Sequence, residues 1–118
     1  MAHDAAKAMK DRLRTDLRAA MKAGAAREAG VIRALVAALD NAEAPPPRTG
    51  PEAALGHAFA SGAAEVERLL RAHGDVRRLI LAEIGEREAA ADEMRRLGQA
   101  ERAAALDAEI AVAKRYID

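Results

Sequence analysis

Apolar side chains recur at helical spacing along most of the chain. Met9, Leu13, Leu17 and Met21 lie four residues apart, so they cover one face of a helix with about 3.6 residues per turn. The same kind of periodicity recurs in four later stretches, which glycine or proline separates from one another. The pattern predicts helices over about 5–23, 26–42, 63–73, 76–97 and 100–117.

The first two predicted helices are joined only by Gly24 and Ala25. A glycine in this place is typical of the residue just past a helix end, and so short a joint favours an antiparallel helical hairpin. The second helix carries a broad apolar face that can meet the first. That face consists of Val31, Ile32, Leu35, Val36 and Leu39.

A stretch of different composition follows this hairpin. Prolines at 45–47 cannot continue a helix, and Gly50, Gly56 and Gly62 interrupt the residues after them. We therefore predict a loop over 43–62. Loops of this length inside a small domain are usually functional or mobile. Further along, Gly74 is predicted to end the third helix and Asp75 to cap the fourth.

Composition agrees with helices throughout. The 118 residues suit one domain with a modest core, here predicted to span 1–118. Aromatic residues make up only 2% of the chain, whereas alanine, leucine, arginine and glutamate are abundant. The predicted fold class is all-α: the antiparallel hairpin and three further helices form a small bundle.

The charges balance, with 19 basic and 19 acidic residues. Such a balance argues against bulk adhesion to nucleic acid or to a membrane, although a local patch remains open. The chain has no cysteine, which excludes disulfides and thiolate metal sites. Because no stretch approaches the apolar length of a membrane span or a signal peptide, we expect a cytoplasmic protein with no membrane partner.

The first predicted helix carries a row of cations beside its apolar stripe. They fall within an arc of about 120° on the helix. The row consists of Lys7, Lys10, Arg14, Arg18 and Lys22. Two explanations remain open: a solvated helix face, which the interrupting Asp4 and Asp11 favour, or a row that follows a phosphate backbone.

Glu83 and Arg87 form an i,i+4 pair within the apolar stripe of the fourth helix. Charges on such a stripe need partners or water. Either the pair is satisfied at a helix crossing, or this part of the helix projects beyond the bundle, or Arg87 contacts an anionic partner. Gly85 between them either permits a close helix approach or is incidental.

Catalytic chemistry has few candidates here. Ser61 is the single serine, and no glycine-rich phosphate loop is present. The histidines lack the spacing of metal ligands. The acidic cluster around Glu88 and Asp92 is more typical of a solvated helix face than of a cation site. We expect no enzyme activity, no cofactor and no metal.

Two blocks of sequence, one toward each end of the chain, contain residues in the order and spacing of a known family pattern. The first block contains Leu13, Asp16, Ala20-Met21-Lys22, Val31-Ile32-Arg33, Ala37-Ala38-Leu39, Asn41 and Glu43. The second contains Gly98, Ala103, Glu109-Ile110, Val112 and Tyr116, and Arg87 lies between the blocks. Together they resemble the GatB/YqeY family, small bacterial-type helical proteins related to the tail of the B subunit of tRNA-dependent amidotransferase.

The resemblance implies an accessory role in tRNA biology, with Arg33, Arg87 and the cations of the first helix as contacts to tRNA. Proteins with this resemblance are often labelled carbon–nitrogen ligases that use glutamine as amido donor. In the amidotransferase, that reaction takes place in other domains. Family members continue past the position of Tyr116 into a second small helical domain, which we expect this chain to lack.

Three hypotheses follow. The first is a non-catalytic module that binds tRNA or an amidotransferase complex. The second is a protein–protein module, for example a homo-oligomer, with no role in RNA binding. The third, least favoured by the residues, is glutamine-dependent ligase activity.

Overall fold

The computed structural model describes residues 5–43 and 73–117. These residues form four α-helices and no strand, so the predicted all-α class is confirmed for the described part of the chain. The helices are α1 (Ala5–Lys22), α2 (Ala26–Glu43), α3 (His73–Arg96) and α4 (Ala100–Lys114). The predicted helix over 63–73 and the predicted loop over 43–62 fall outside the described residues except at His73 and Glu43.

The ends of α3 and α4 differ from the sequence prediction. Helix α3 begins at His73, so Gly74 and Asp75 lie in its first turn and do not separate two helices. An acidic residue is favourable there because it complements the positive end of the helix dipole. Helix α4 ends at Lys114, where the chain tightens into a turn in which the Tyr116 N–H donates to the Ala113 carbonyl at 3.1 Å.

Both connections between consecutive helices use the same turn. Gly24 and Gly98 have φ values of 71° and 72°, in the left-handed region that favours glycine. After each glycine, the next N–H donates back to a carbonyl in the last turn of the preceding helix: Ala25 to Ala20 at 2.9 Å and Gln99 to Met94 at 2.8 Å. This Schellman arrangement makes α1–α2 and α3–α4 two antiparallel hairpins, as the short Gly24–Ala25 joint predicted.

The core lies where the two hairpins meet. Helices α1 and α2 contribute Leu13, Ile32 and Leu35, and α3 contributes Ile80, all with no exposed surface. Alanines complete the core and allow the helices to approach closely. The remaining core members are Ala6, Met9, Ala20, Ala29, Val31, Leu39, Val76, Ile84, Ile110, Val112, Ala113 and Tyr116.

Beyond this core, α3 and α4 continue as a two-helix extension, residues 85–109, which we call the distal arm. The only side chains of the arm that are buried are Ala91 and Ala103, and neither belongs to the core cluster. Arg95 and Asp107 form an ion pair across the two helices. The arm thus lies outside the core cluster that joins the two hairpins.

Candidate functional site

Positive charge in the described part of the chain is concentrated on α1. This helix carries six basic and two acidic side chains. Each of the other three helices carries one more acidic side chain than basic ones. The neutral total therefore conceals a local excess of cations, which is the feature needed to attract an anionic partner.

Three of these six cations share an arc of α1, and a groove links that arc to Arg33 of α2. On α1, Met21 falls within the same arc as Arg14, Arg18 and Lys22. Met21 and Arg33 in turn line one open groove between the two helices. We call the surface formed by Arg14, Arg18, Lys22 and Arg33 the basic face.

Three of the four cations of the basic face are available to a partner. Arg14, Lys22 and Arg33 are exposed, and within residues 5–43 and 73–117 they form no ion pair or side-chain hydrogen bond. Arg18 is also exposed and donates only to the Thr15 hydroxyl, at 3.3 Å. No carboxylate of the described chain neutralises these side chains.

Lys10 belongs to the same row of cations but serves the fold. Its ammonium donates to Glu43 at 2.5 Å and to Asp40 at 3.1 Å, and its side chain is only 16% exposed. The hydrogen bond to Glu43 raises the pKa of Lys10 and outweighs the opposing effect of burial. Lys10 therefore ties the start of α1 to the end of α2. Lys7, by contrast, is exposed and pairs with Asp11 at 3.0 Å.

Arg87 lies away from the basic face, at the contact between α3 and α4. Its guanidinium donates to the Glu83 carbonyl at 3.0 Å and to carboxylate oxygens of Glu83 and Glu109 at 3.4 and 3.3 Å. Its side chain is 15% exposed. These contacts hold Arg87 between two acidic partners at a helix crossing, one of the three explanations that the sequence left open.

The groove lined by Met21 and Arg33 lies at the turn between α1 and α2. It has a volume of about 270 Å³ and is open to solvent. Five of its lining residues are small and form what we call its floor, and Met21 and Arg33 are its larger side chains. The floor consists of Ala20, Gly24, Ala25, Ala26 and Ala29.

A polar cluster that joins α1 to the C-terminal turn was missed in the sequence. The Tyr116 hydroxyl donates to Asp16 at 2.6 Å, although Tyr116 itself is buried. The guanidinium of Arg12 lies 4.6 Å from the centre of the Tyr116 ring and donates to the Arg115 carbonyl at 3.0 Å. Burial, followed by the hydrogen bond to Asp16, raises the pKa of Tyr116 above its usual value. Asp16 and Tyr116 both belong to the two sequence blocks that resemble the family, but the sequence did not predict that their side chains are in contact.

Several other kinds of site are absent from the residues that the structure describes. Among them, no group of three or more histidine, aspartate or glutamate side chains is arranged to hold a metal ion. The acidic side chains Asp92 and Glu93 instead pair with Arg95 and Arg96. Every buried side-chain nitrogen or oxygen in 5–43 and 73–117 has a hydrogen-bond partner. None of the described helices is long and apolar enough to cross a membrane.

Comparison with family models, with curated proteins and with solved structures gives no match. The resemblance to the GatB/YqeY family therefore stays a prediction. The charges and contacts of this chain itself are therefore what indicate a function.

Proposed function

We propose that this protein is a non-catalytic RNA-binding module whose basic face follows the phosphate backbone of a structured RNA. The observation that carries the proposal is the set of exposed cations at Arg14, Lys22 and Arg33, which no described carboxylate neutralises. The resemblance to the GatB/YqeY family suggests tRNA, or tRNA held in an amidotransferase complex, as the RNA.

The spacing of these cations suits a polyanion. Arg14, Arg18 and Lys22 follow one another at intervals of four residues, which is about 6 Å along the helix axis. Arg33 adds a charge from the second helix of the same hairpin. Because the Schellman turn and the core hold the two helices together, the backbone positions of these charges are fixed before RNA binds, and only the side chains must be ordered.

About four phosphate contacts predict a measurable dependence on salt. Each neutralised phosphate releases counterions, so raising the salt concentration fourfold should weaken binding by roughly a hundredfold. The acidic excess on the other three helices disfavours their approach to RNA. We therefore expect RNA to approach from the α1 side.

The decisive experiment is a titration with tRNA at two salt concentrations, using two matched double variants. Arg14→Glu with Lys22→Glu reverses two charges on the basic face, and we expect it to lower affinity at least tenfold and to flatten the salt dependence. The control, Arg102→Glu with Lys114→Glu, makes the same change in net charge on α4. Lys22 and Lys114 both lie in the last turn of a helix, so both variants lose the same favourable interaction with a helix dipole.

Lys10 is left unchanged in this test because its ion pairs with Asp40 and Glu43 hold the hairpin together. Circular dichroism should show that both double variants keep their helices. Equal loss of affinity in the two variants, or binding that ignores salt, would contradict the proposed face. Glutamine-dependent amidation of a mischarged tRNA by the purified chain would contradict the non-catalytic role.

The distal arm favours self-association as a second candidate function. Leu97 at its end is 61% exposed, and Met94 and Leu106 are only partly buried. A second copy that packs against the arm would cover these apolar side chains.

Sedimentation of the chain over a wide range of concentrations tests this candidate. We expect a dimer that Leu97→Glu disrupts and that Leu81→Glu, a change at another exposed leucine outside the arm, leaves intact. A strictly monomeric chain at high concentration would rule out the self-association.

A further inference from the structure

The groove at the turn between α1 and α2 has a chemical character unlike that of the basic face beside it. Its floor is formed by the small side chains of Ala20, Ala25, Ala26 and Ala29 and by Gly24. Ala20 and Ala29 are each only 3% exposed, so they close the floor against the core. Apart from Arg33, no polar side chain of the described residues lines this groove.

Met21 and Arg33 are the two larger side chains that line the groove, and each can contact a flat ring. Met21 is 56% exposed although it is a large apolar residue, and its thioether can make a favourable contact with an aromatic ring. Arg33 carries a planar guanidinium, which stacks on aromatic rings and nucleobases. Met21 and Arg33 together offer two surfaces suited to a flat aromatic group.

We propose that the groove receives one unpaired base of the bound RNA, between Met21 and Arg33. This inference rests on the proposed function, because the neighbouring cations are what bring the RNA to the groove. On α1, Met21 shares its arc with Arg14, Arg18 and Lys22, so a strand whose phosphates contact these cations passes the groove. The base enters the apolar floor while its phosphate stays with the basic face.

Charge complementarity distinguishes a nucleotide from a purely apolar occupant. An aliphatic side chain of a partner protein would cover Met21 but leave the charge of Arg33 without a partner. A nucleotide carries both the flat ring for the groove and the phosphate for the cations. The bases of an intact duplex are stacked and paired, so the groove selects loops, bulges or single-stranded ends.

The test uses two RNA probes with the same number of phosphates. One is a fully paired duplex, and the other contains a single unpaired base. We expect the native chain to bind the second probe roughly tenfold more tightly, the size expected for one base stacked on a side chain. The salt dependence should be the same for both probes because the number of phosphate contacts is unchanged.

Two variants assign this preference to the groove. Met21→Ala removes the thioether, and Arg33→Lys keeps the charge but removes the planar group; each should bring the two probes to nearly equal affinity. The matched controls are Leu97→Ala and Arg102→Lys, which make similar changes at exposed residues of the second hairpin. Both controls should keep the roughly tenfold preference. Thermal unfolding of all four variants checks that the fold is intact.

The outcomes separate this inference from the proposed function. Salt-dependent binding with equal affinity for the two probes would overturn the base-binding groove and leave the phosphate-binding face in place. A preference that survives both Met21→Ala and Arg33→Lys would also overturn it. Failure to bind either probe at low salt would overturn the proposed function and the groove together.

Discussion

At the scale of single residues, Tyr116 joins the turn after α4 to the middle of α1. Its ring is buried in the core, and its hydroxyl reaches Asp16, 100 residues earlier. Asp16 is itself partly exposed and so keeps contact with water. Arg12 covers the ring from the same helix. The cluster thereby fixes the turn after α4 against the middle of α1.

The raised pKa of Tyr116 predicts a loss of stability at alkaline pH. Above pH 10.0, the ordinary pKa of tyrosine, the unfolded chain releases a proton that the folded chain keeps. The contribution of Tyr116 to the free energy of unfolding is therefore fully present below this pH. Above it, the free energy of unfolding falls by up to about 1.4 kcal/mol per pH unit because of this group. Urea unfolding across the alkaline range measures the slope, and Tyr116→Phe should make it shallower.

The same titration can be followed in the native chain by ultraviolet absorbance of the tyrosinate. Tyr116 is the single tyrosine and tryptophan is absent, so the signal comes from this residue alone. We expect ionisation to coincide with the loss of helical circular dichroism. Ionisation at the ordinary pKa in a chain that is still helical would contradict the buried hydrogen bond to Asp16.

At the scale of the elements, glycines have opposite roles according to their place. Gly98 adopts a positive φ at the end of α3, whereas Gly85 lies inside the same helix. A Cβ added at either position meets no atom within 4 Å, so backbone conformation alone decides the effect of a substitution. The close helix approach considered for Gly85 is therefore not what this glycine provides.

This difference predicts shifts of opposite sign for the same substitution. Gly98→Ala should lower the free energy of unfolding by about 1–2 kcal/mol because alanine is strained at positive φ. Gly85→Ala should raise it by up to about 1 kcal/mol because alanine is the better helix former. Urea unfolding midpoints of the two variants provide the measurement. Shifts in the same direction would show that packing matters at one of the two positions.

The sequence predicted the elements better than the contacts between them. Apolar spacing and Gly24 placed α1 and α2 almost to the residue, since both signals are local. The start of α3 was missed because Gly74 and Asp75 usually stand outside a helix, whereas here they occupy its first turn. The row of cations on α1 was visible in the helical period, but the partners of Lys10 and the groove beside Arg33 depend on α2 as a tertiary neighbour.

At the scale of the whole molecule, stability should be uneven between the core and the distal arm. The core buries large side chains such as Leu35 and Ile80, while the arm buries only Ala91 and Ala103. Local opening requires less free energy where less apolar surface is buried. We therefore expect amides of the distal arm to be less protected from hydrogen exchange than amides of the core.

Amide hydrogen exchange measures this difference directly. Amides within 88–106 should exchange much faster than those around Leu35 in dilute solution. If a second copy covers the arm, protection of the arm should increase with protein concentration while that of α2 stays constant. Uniform protection at every concentration would contradict the weak packing of the arm.

The uneven placement of charge makes this neutral chain an electric dipole. With 19 charges of each sign, it has a sequence pI of about 6.8, and near that pH it will not migrate as a whole in a uniform field. The excess of cations on α1 nevertheless gives it an attractive side. A sulfonated cation-exchange resin should retain it at its isoelectric point with α1 turned to the matrix, and Arg14→Glu with Lys22→Glu should elute earlier than the Arg102→Glu, Lys114→Glu control of equal net charge.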